Sequence, residues 1–173
     1  KKAELGTFED KTEMTAKGAV TNKIFVPTTY YKEEATNTAN KESYSYYFDG
    51  EKWAKSYENH NSIAFSSGGI TSTPADLTKF IYALFNGKLV NPTSLNQMKE
   101  IKEGYGKALI QFPFGERRFY GHGGRIENFS SMLGYYPTEK MSFSIISHGD
   151  NFVQNDIIIG ILSIYYKMPF PFP

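Results

Sequence analysis

The sequence predicts an α+β protein in which helices pack on an antiparallel sheet. After Gly104, four stretches of strand-forming residues follow one another and are separated by short turns. Between residues 72 and 101, two helix-start signals precede apolar residues at helical spacing, and a strongly apolar segment closes the chain. Consecutive strands with short turns form antiparallel meanders. Helices that cover such a sheet give the α+β class.

The strand candidates occupy residues 105–112, 118–121, 129–136 and 141–147. The turn between the last two is the polar, proline-containing segment 137–140. Alternating apolar and polar residues bounded by Gly, Pro and polar clusters are typical of strands. We therefore expect three or four of these segments to pair in sequence as an antiparallel meander.

Helix signals are clearest around Thr73, which is suited to cap a helix with Pro74 at its first position and Asp76 in a capping box. Apolar residues then recur at helical spacing, and Gly87 suits the end of the helix. A second start signal spans residues 91–94. The apolar segment 152–166 predicts a helix buried against one face of the sheet.

The first sixty residues are harder to interpret. Tyr44, Tyr46 and Phe48 alternate with other residues and precede Asp49 and Gly50, which predicts a hairpin with Trp53 near the start of the return strand. We divide the chain into an N-terminal segment, 1–60, which either has diverged or has a separate origin, and a C-terminal α+β part, 61–173.

Composition excludes several classes of function. The net charge of +1 argues against nucleic-acid binding, which usually needs a concentrated basic face. There is no cysteine, so disulfide scaffolds, thiol catalysis and cysteine zinc sites are excluded. The three histidines lack metal-ligand spacing, so we expect no metal site and no cofactor.

Several ordered motifs resemble the serine β-lactamase-like (penicillin-binding-protein-like) family, which includes class C β-lactamases, D-Ala-D-Ala carboxypeptidases and related esterases. Residues 67–80, SGGITSTPADLTKF, resemble the family's S-G-G-(I/L)-x-S-T-x-x-D-L-x-(K/R)-F run. Tyr105 and Gly106 look like its Y-G strand start, and residues 120–137 are similar to its G-H-x-G…G-F-S-S…Y-x-P pattern. The resemblance covers about residues 61–167 and implies the C-terminal part of a β-lactamase/transpeptidase-like fold.

This resemblance implies a substrate-facing site on one strand. His122 would bind a substrate carboxylate or relay a proton, and we assign it as the catalytic candidate. Gly123, Gly124 and Arg125 are the substrate-binding candidates. Gly124 would let the substrate approach the strand, and the backbone N–H of Arg125 would donate to an oxyanion.

The family's Ser-x-x-Lys element, which supplies the nucleophile and its base, is absent from this chain. The nearest imitation is Thr38 with Lys41, in a polar stretch without a helical pattern. Tyr57 and Asn59 match the family's Tyr-x-Asn literally, but at the wrong place in the order of motifs. We therefore interpret both matches as coincidence.

Two functions remain open. In the first, the chain is the C-terminal portion of a serine acyl-hydrolase for a β-lactam, a D-Ala-D-Ala peptide or an ester, and it supplies the substrate-side wall of the cleft. In the second, it is a non-catalytic module that binds cell-wall peptides or a protein partner. The expected partners are a small-molecule or peptide substrate, and either the missing N-terminal half or another copy. The family implies a bacterial protein of the periplasm or cell surface.

Overall fold

The structure is a computed structural model that describes residues 6–15, 18–27, 30–31, 35–59, 61–64, 67–149 and 151–170. The strands of the first half are β1 (Gly6–Thr15), β2 (Gly18–Pro27), β3 (Tyr30–Tyr31), β4 (Tyr46–Phe48), β5 (Trp53–Lys55) and β6 (Ile70–Thr71). They form three antiparallel pairs, β1–β2, β3–β6 and β4–β5.

The β1–β2 hairpin was not expected, because β1 is mostly polar and the apolar residues of β2 cluster at 24–26 instead of alternating. Ten residues of each strand pair in register, from Gly6 with Pro27 to Thr15 with Gly18. Gly18 has a φ of +116°, a conformation that L side chains rarely adopt. Gly18 therefore marks where the second strand begins.

The predicted β4–β5 hairpin is confirmed, and Trp53 is the first residue of the return strand. Its turn is held by the Asp49 carboxylate, which accepts hydrogen bonds from the backbone N–H groups of Glu51 and Lys52, both at 2.9 Å. These bonds favour the charged carboxylate and lower the pKa of Asp49. Gly50, with a φ of +106°, supplies the positive dihedral that the turn requires.

The central sheet has four strands in the order β10–β9–β8–β7. They are β7 (Ile110–Phe114), β8 (Arg117–Ile126), β9 (Phe129–Tyr136) and β10 (Met141–Ser147). The expected antiparallel meander is confirmed, and the bounds of β9 and β10 agree with those predicted. Strand β7 begins at Ile110 rather than at residue 105, and β8 continues five residues beyond its predicted end at 121.

The α-helices in the described part of the chain are α1 (Pro74–Phe85), α2 (Pro92–Met98) and α3 (Gln154–Tyr165). The predicted caps are present: Thr73 Oγ1 accepts from the N–H of Asp76 at 3.1 Å, and Asn91 Oδ1 accepts from the N–H of Ser94 at 2.8 Å. Asp76 is buried and pairs with Lys79 Nζ at 3.0 Å. The sequence signals therefore locate the first two helices closely.

The two faces of the sheet have separate cores. On one face α1 packs across β9 and β10, and the buried cluster there consists of Ile81, Leu84, Leu95, Leu109 and Tyr135. On the other face, Ile158 and Leu162 of α3 pack with Phe114 and Phe119. Strand residues alternate between the faces, as the two-residue period requires.

Helix α3 is less buried than its composition suggests. Its inner side carries Ile158 and Leu162, but Ile161 and Ile164 on the outer side are exposed, Ile164 to 68%. The expectation that the helix is buried against one sheet face is therefore correct only for its inner side. The reason is that a single sheet face covers one side of a helix, whatever the hydrophobicity of the remainder.

A small polar network holds the C-terminal end of α3 against the sheet. Tyr166 Oη donates to Glu139 Oε2 at 2.8 Å, and the Arg117 guanidinium lies 3.6 Å from the centre of the tyrosine ring. Arg117 Nε is 3.7 Å from Glu139 Oε1. Burial, reinforced by the Glu139 carboxylate, raises the pKa of Tyr166 to about 12.

The raised pKa predicts a loss of stability at alkaline pH. An unfolded tyrosine ionises near pH 10, whereas folded Tyr166 holds its proton to about pH 12. Its contribution is therefore fully present below pH 10 and lost as the pH rises towards 12. We expect the melting temperature to fall more between pH 10 and 12 in the unmodified chain than in Tyr166→Phe. Tyr165→Phe is the matched control, and an equal pH slope in all three proteins would contradict the prediction.

Candidate functional site

The candidate site lies on the second half of β8, beyond the point where β7 stops pairing. Strand β7 pairs with residues 117–121 of β8, from Phe114 opposite Arg117 to Ile110 opposite Gly121. Strand β9 pairs along residues 120–126 on the other side. Among the described strands none pairs with residues 122–126 on the β7 side. His122, Gly123, Gly124 and Arg125 therefore lie on a partly open sheet edge.

The register fixes which sheet face each of these residues occupies. His122 lies opposite Leu133, which packs at the edge of the α1 core. Alternation then puts Gly124 and Ile126 on the α1 side as well. A Cβ added to Gly68 would lie 3.0 Å from Ile126 Cδ1, so the Ser-Gly-Gly turn packs directly on the end of β8. Two motifs more than fifty residues apart in sequence thus meet at one place.

His122 is exposed and has a defined hydrogen bond. Its Nδ1 lies 2.5 Å from the carbonyl oxygen of Gly123. A carbonyl only accepts, so Nδ1 must carry the proton in this bond, and Nε2 of the neutral ring is left as the acceptor. The ring of Tyr105 meets the imidazole edge to face, with 6.5 Å between ring centres. The imidazole is thus oriented from two sides.

Gly124 lies directly against Ser131 of the neighbouring strand. A Cβ at Gly124 would lie 2.9 Å from Ser131 Oγ, so any larger residue would push into that hydroxyl. Arg125 is exposed and lies opposite Ser130. The arrangement offers a close approach to the strand backbone at Gly124, beside a histidine that can accept or donate a proton.

The two doubtful motifs take different positions. Thr38 and Lys41 belong to one exposed turn of 3₁₀ helix, where the N–H of Lys41 donates to the carbonyl of Thr38. Asn59, by contrast, donates its backbone N–H to Glu127 Oε1 at 2.5 Å, one residue beyond β8. Its motif partner Tyr57 is 82% exposed. The structure therefore brings the Tyr57 segment, but not the Thr38 turn, to the end of β8.

Two site neighbours, Tyr105 and Ser131, were missed as candidates. Tyr105 was interpreted only as a strand start, yet it lies before β7 in an isolated bridge to Ile110, and its ring meets His122. The sequence pattern around Ser131 is that of an ordinary strand surface, and only the pairing register of β8 and β9 puts it opposite Gly124. The sequence did contain a signal that could have identified Tyr105 as a site neighbour. Tyr105 precedes a strand that was expected to pair with the strand before His122.

Within the described residues, no group of three or more His, Cys, Asp or Glu side chains is arranged to hold a metal ion. His60 lies outside the described residues, and His148 contacts Phe129 with 5.6 Å between ring centres. Across the same described ranges, no helix has the length and hydrophobicity needed to cross a membrane.

Comparison with solved structures shows the same fold in several hydrolases. A D-amino acid amidase from Ochrobactrum anthropi SV3, in complex with D-phenylalanine, is 25% identical, with a TM-score of 0.62 over 79% of this chain and 49% of its own. A D-stereospecific amidohydrolase from Streptomyces sp. is 23% identical, with a TM-score of 0.63 over 71% of this chain and 39% of its own.

An octameric penicillin-binding protein homologue from Pyrococcus abyssi is 19% identical, with a TM-score of 0.67 over 82% of this chain and 34% of its own. The chain thus spans less than half the length of each of these three proteins. A comparison with curated proteins found no significant match.

The family model described as Beta-lactamase matches residues 10–161, which is most of the chain. The match begins well before the motifs that carry the sequence resemblance, although the division of the chain at residue 60 stays a prediction. Together with the shared fold, it confirms the resemblance found in the sequence. The chain belongs to the Beta-lactamase family, among the serine β-lactamase and penicillin-binding-protein-like hydrolases.

Proposed function

We propose that this chain supplies the substrate-side wall of the cleft in a serine acyl-hydrolase. The substrate is a β-lactam, a D-Ala-D-Ala peptide or a related ester or amide, and the serine nucleophile lies on a segment outside this chain. The observation that carries the proposal is that no described strand pairs with residues 122–126 of β8 on the β7 side, beside a hydrogen-bonded histidine. An extended substrate can add to such an edge through backbone hydrogen bonds.

Each candidate residue has a distinct part in this proposal. Gly124 lets the acyl group reach the strand backbone, where the N–H of Arg125 donates to the oxyanion that forms when serine adds to the carbonyl carbon. Because its Nε2 is free of the bond made by Nδ1, His122 relays a proton through Nε2 or, when Nε2 carries a proton, donates to a substrate carboxylate. Removal of one oxyanion donor costs roughly a hundredfold or more in rate in well-studied hydrolases.

The nature of the substrate is inferred from relatives. The amidase and the amidohydrolase act, by their names, on D-amino acid amides and with D-stereospecificity. Such compounds share with penicillins and D-Ala-D-Ala peptides an acyl carbon that a serine can attack. Export to the periplasm or cell surface belongs to the same proposal, and a bacterial cell-wall peptide is the natural substrate that would fit it.

The proposal predicts binding without covalent reaction. We expect no mass adduct after this chain is incubated with benzylpenicillin or a fluorophosphonate, because covalent catalysis needs a nucleophile and its base. In a ¹H–¹³C spectrum of the histidine rings, benzylpenicillin or D-phenylalaninamide should instead shift the His122 signal. The signal of His60 serves as the internal reference.

Two variants make this test selective. Gly124→Val should abolish the shift of the His122 signal, because the new side chain would occupy the approach beside Ser131. Arg118→Ala is the matched control, since it removes an exposed charge from the far end of β8. A stoichiometric adduct on the unmodified chain would place the nucleophile inside it. If the ligands left the His122 signal unchanged, the proposed cleft-wall function would be wrong.

The second candidate, a non-catalytic binding module, is favoured by the absence of Ser-x-x-Lys from the sequence. It predicts the same ligand binding, but no covalent reaction even in a longer natural polypeptide that contains this chain. An adduct on a serine in that polypeptide would exclude it. Mass spectrometry of the longer protein therefore separates the two candidates.

Both candidate functions include a protein partner that covers exposed surface of this chain. The exposed apolar side chains of α3, above all Ile161 and Ile164, support cover by the preceding half of the fold or by a second copy. Strand β10, at the end of the sheet order, supports the same idea, because an edge strand offers unpaired backbone groups. A purely monomeric sedimentation profile for this chain would exclude the second copy.

A further inference from the structure

A second concave surface lies at the end of β10, on the other side of β9 from the candidate site. It encloses about 590 Å³ and is widely open to solvent. Its walls are the rings of Tyr46, Trp53 and Phe152 and the chain segment 146–149. We propose that this aromatic cavity binds a neutral carbohydrate ring. The proposal goes beyond the acyl-hydrolase function and does not depend on it.

The cavity is built by a specific contact between the β4–β5 hairpin and the end of the sheet. The N–H of Tyr46 donates to the carbonyl of His148 at 2.8 Å, and Tyr46 forms a parallel bridge with Gly149. A Cβ at Gly149 would lie 2.8 Å from Cζ3 of Trp53 and 3.2 Å from its Cη2. Glycine therefore allows one edge of the indole to rest on the backbone.

The aromatic rings are anchored but not covered. Trp53 is 51% exposed even though its edge is fixed on Gly149, and Phe48 lies against it with 5.6 Å between ring centres. Tyr46 and Phe152 are also exposed. Large aromatic groups held open in this way expose apolar area to water at a cost, which is typical of a surface kept for a ligand.

The chemistry of the walls points to an uncharged ligand with one apolar face and a polar rim. None of the described residues that line the cavity is Asp, Glu, Lys or Arg. The hydroxyl of Ser147 is already bonded to the backbone of Gly149. The polar groups of the other lining residues are the exposed His148, the Tyr46 hydroxyl, the Trp53 indole N–H and backbone groups. The C–H face of a sugar ring stacks on aromatic rings while its hydroxyls reach such groups. A phenyl ring would remove His148 from water without replacing its hydrogen bonds.

The cavity is close enough to the candidate site to serve the same large substrate. Gly124 pairs with Ser131, which in turn pairs with Ile146 on the cavity floor. Two strand spacings separate Gly124 from Ile146, which is ~10 Å. A glycan held at the cavity would therefore keep an attached acyl group near the open edge of β8.

The test uses the fluorescence of Trp53, the single tryptophan of the chain. We expect chitotetraose or cellotetraose to change its emission saturably, with a dissociation constant on the order of 1 mM. Tyr46→Ala and Phe152→Ala should each weaken binding about tenfold, since each removes one stacking ring. Tyr57→Ala is the matched control, because Tyr57 is exposed but does not line the cavity.

Three results would overturn the proposal. One is an emission unchanged by both tetrasaccharides in a protein whose circular dichroism shows it to be folded. Another is a saturable response to D-phenylalaninamide alone, which would make the cavity a subsite for an aromatic side chain. The third is an emission that depends on protein concentration without ligand, which would show that a second copy fills the cavity. None of them affects the shift of the His122 signal, so the two proposals fail separately.

Discussion

Replacing Phe119 by alanine should lower the free energy of unfolding by about 3–5 kcal/mol, the usual cost of deleting a buried aromatic ring. Phe119 is fully buried in the core between the sheet and α3. Its ring stacks on Phe112 at 5.5 Å and meets Phe143 edge to face at 5.7 Å. Removal of the ring leaves a cavity that these neighbours cannot fill, because both are held over Gly134.

Urea unfolding followed by circular dichroism measures this effect. Ile164→Ala is the control, since this side chain of α3 is 68% exposed and should change the free energy of unfolding by no more than about 0.5 kcal/mol. Equal midpoints for the two variants would mean that α3 does not pack on the sheet at Phe119. A lower unfolding midpoint for Phe119→Ala, with an unchanged midpoint for Ile164→Ala, supports the described packing.

Local signals in the sequence were sufficient for most of the second half of the fold. The caps at Thr73 and Asn91 locate two helices because side-chain oxygens bond to nearby N–H groups, a short-range interaction. The bounds of β9 and β10 agree because apolar residues recur along both strands and polar turns follow them. The β1–β2 hairpin was missed, since neither the mostly polar β1 nor the clustered apolar residues of β2 show a two-residue period.

The candidate site was predicted only in part, for a different reason. The strand of His122 appeared to end at residue 121, because three glycines in four positions weaken every local strand signal. Pairing with β9 overrides that weakness and extends the strand to Ile126. The neighbours Tyr105, Ser131 and Gly68 come from distant segments, so their approach depends on register and topology rather than on local sequence.

Gly121 is the residue through which this fold constrains the site most directly. A Cβ there would overlap the carbonyl oxygen of Leu133 on β9, and backbone atoms have no rotamer by which to move away. Gly121→Ala should therefore force β8 and β9 apart and lower the free energy of unfolding by about 3 kcal/mol or more. His122 is the next residue, so its ring signal should also move in the folded fraction of the variant.

Gly123→Ala is the matched control on the same strand. Its Cβ would meet the flexible thioether of Met132 at 3.3 Å, and alanine suits a strand interior better than glycine does. We expect the free energy of unfolding of this variant to lie within ~1 kcal/mol of that of the unmodified chain. If Gly121→Ala proved as stable as Gly123→Ala, the two strands would lie further apart than described. A loss of stability in Gly121→Ala but not in Gly123→Ala would instead show that close approach of β8 to β9 fixes the position of His122.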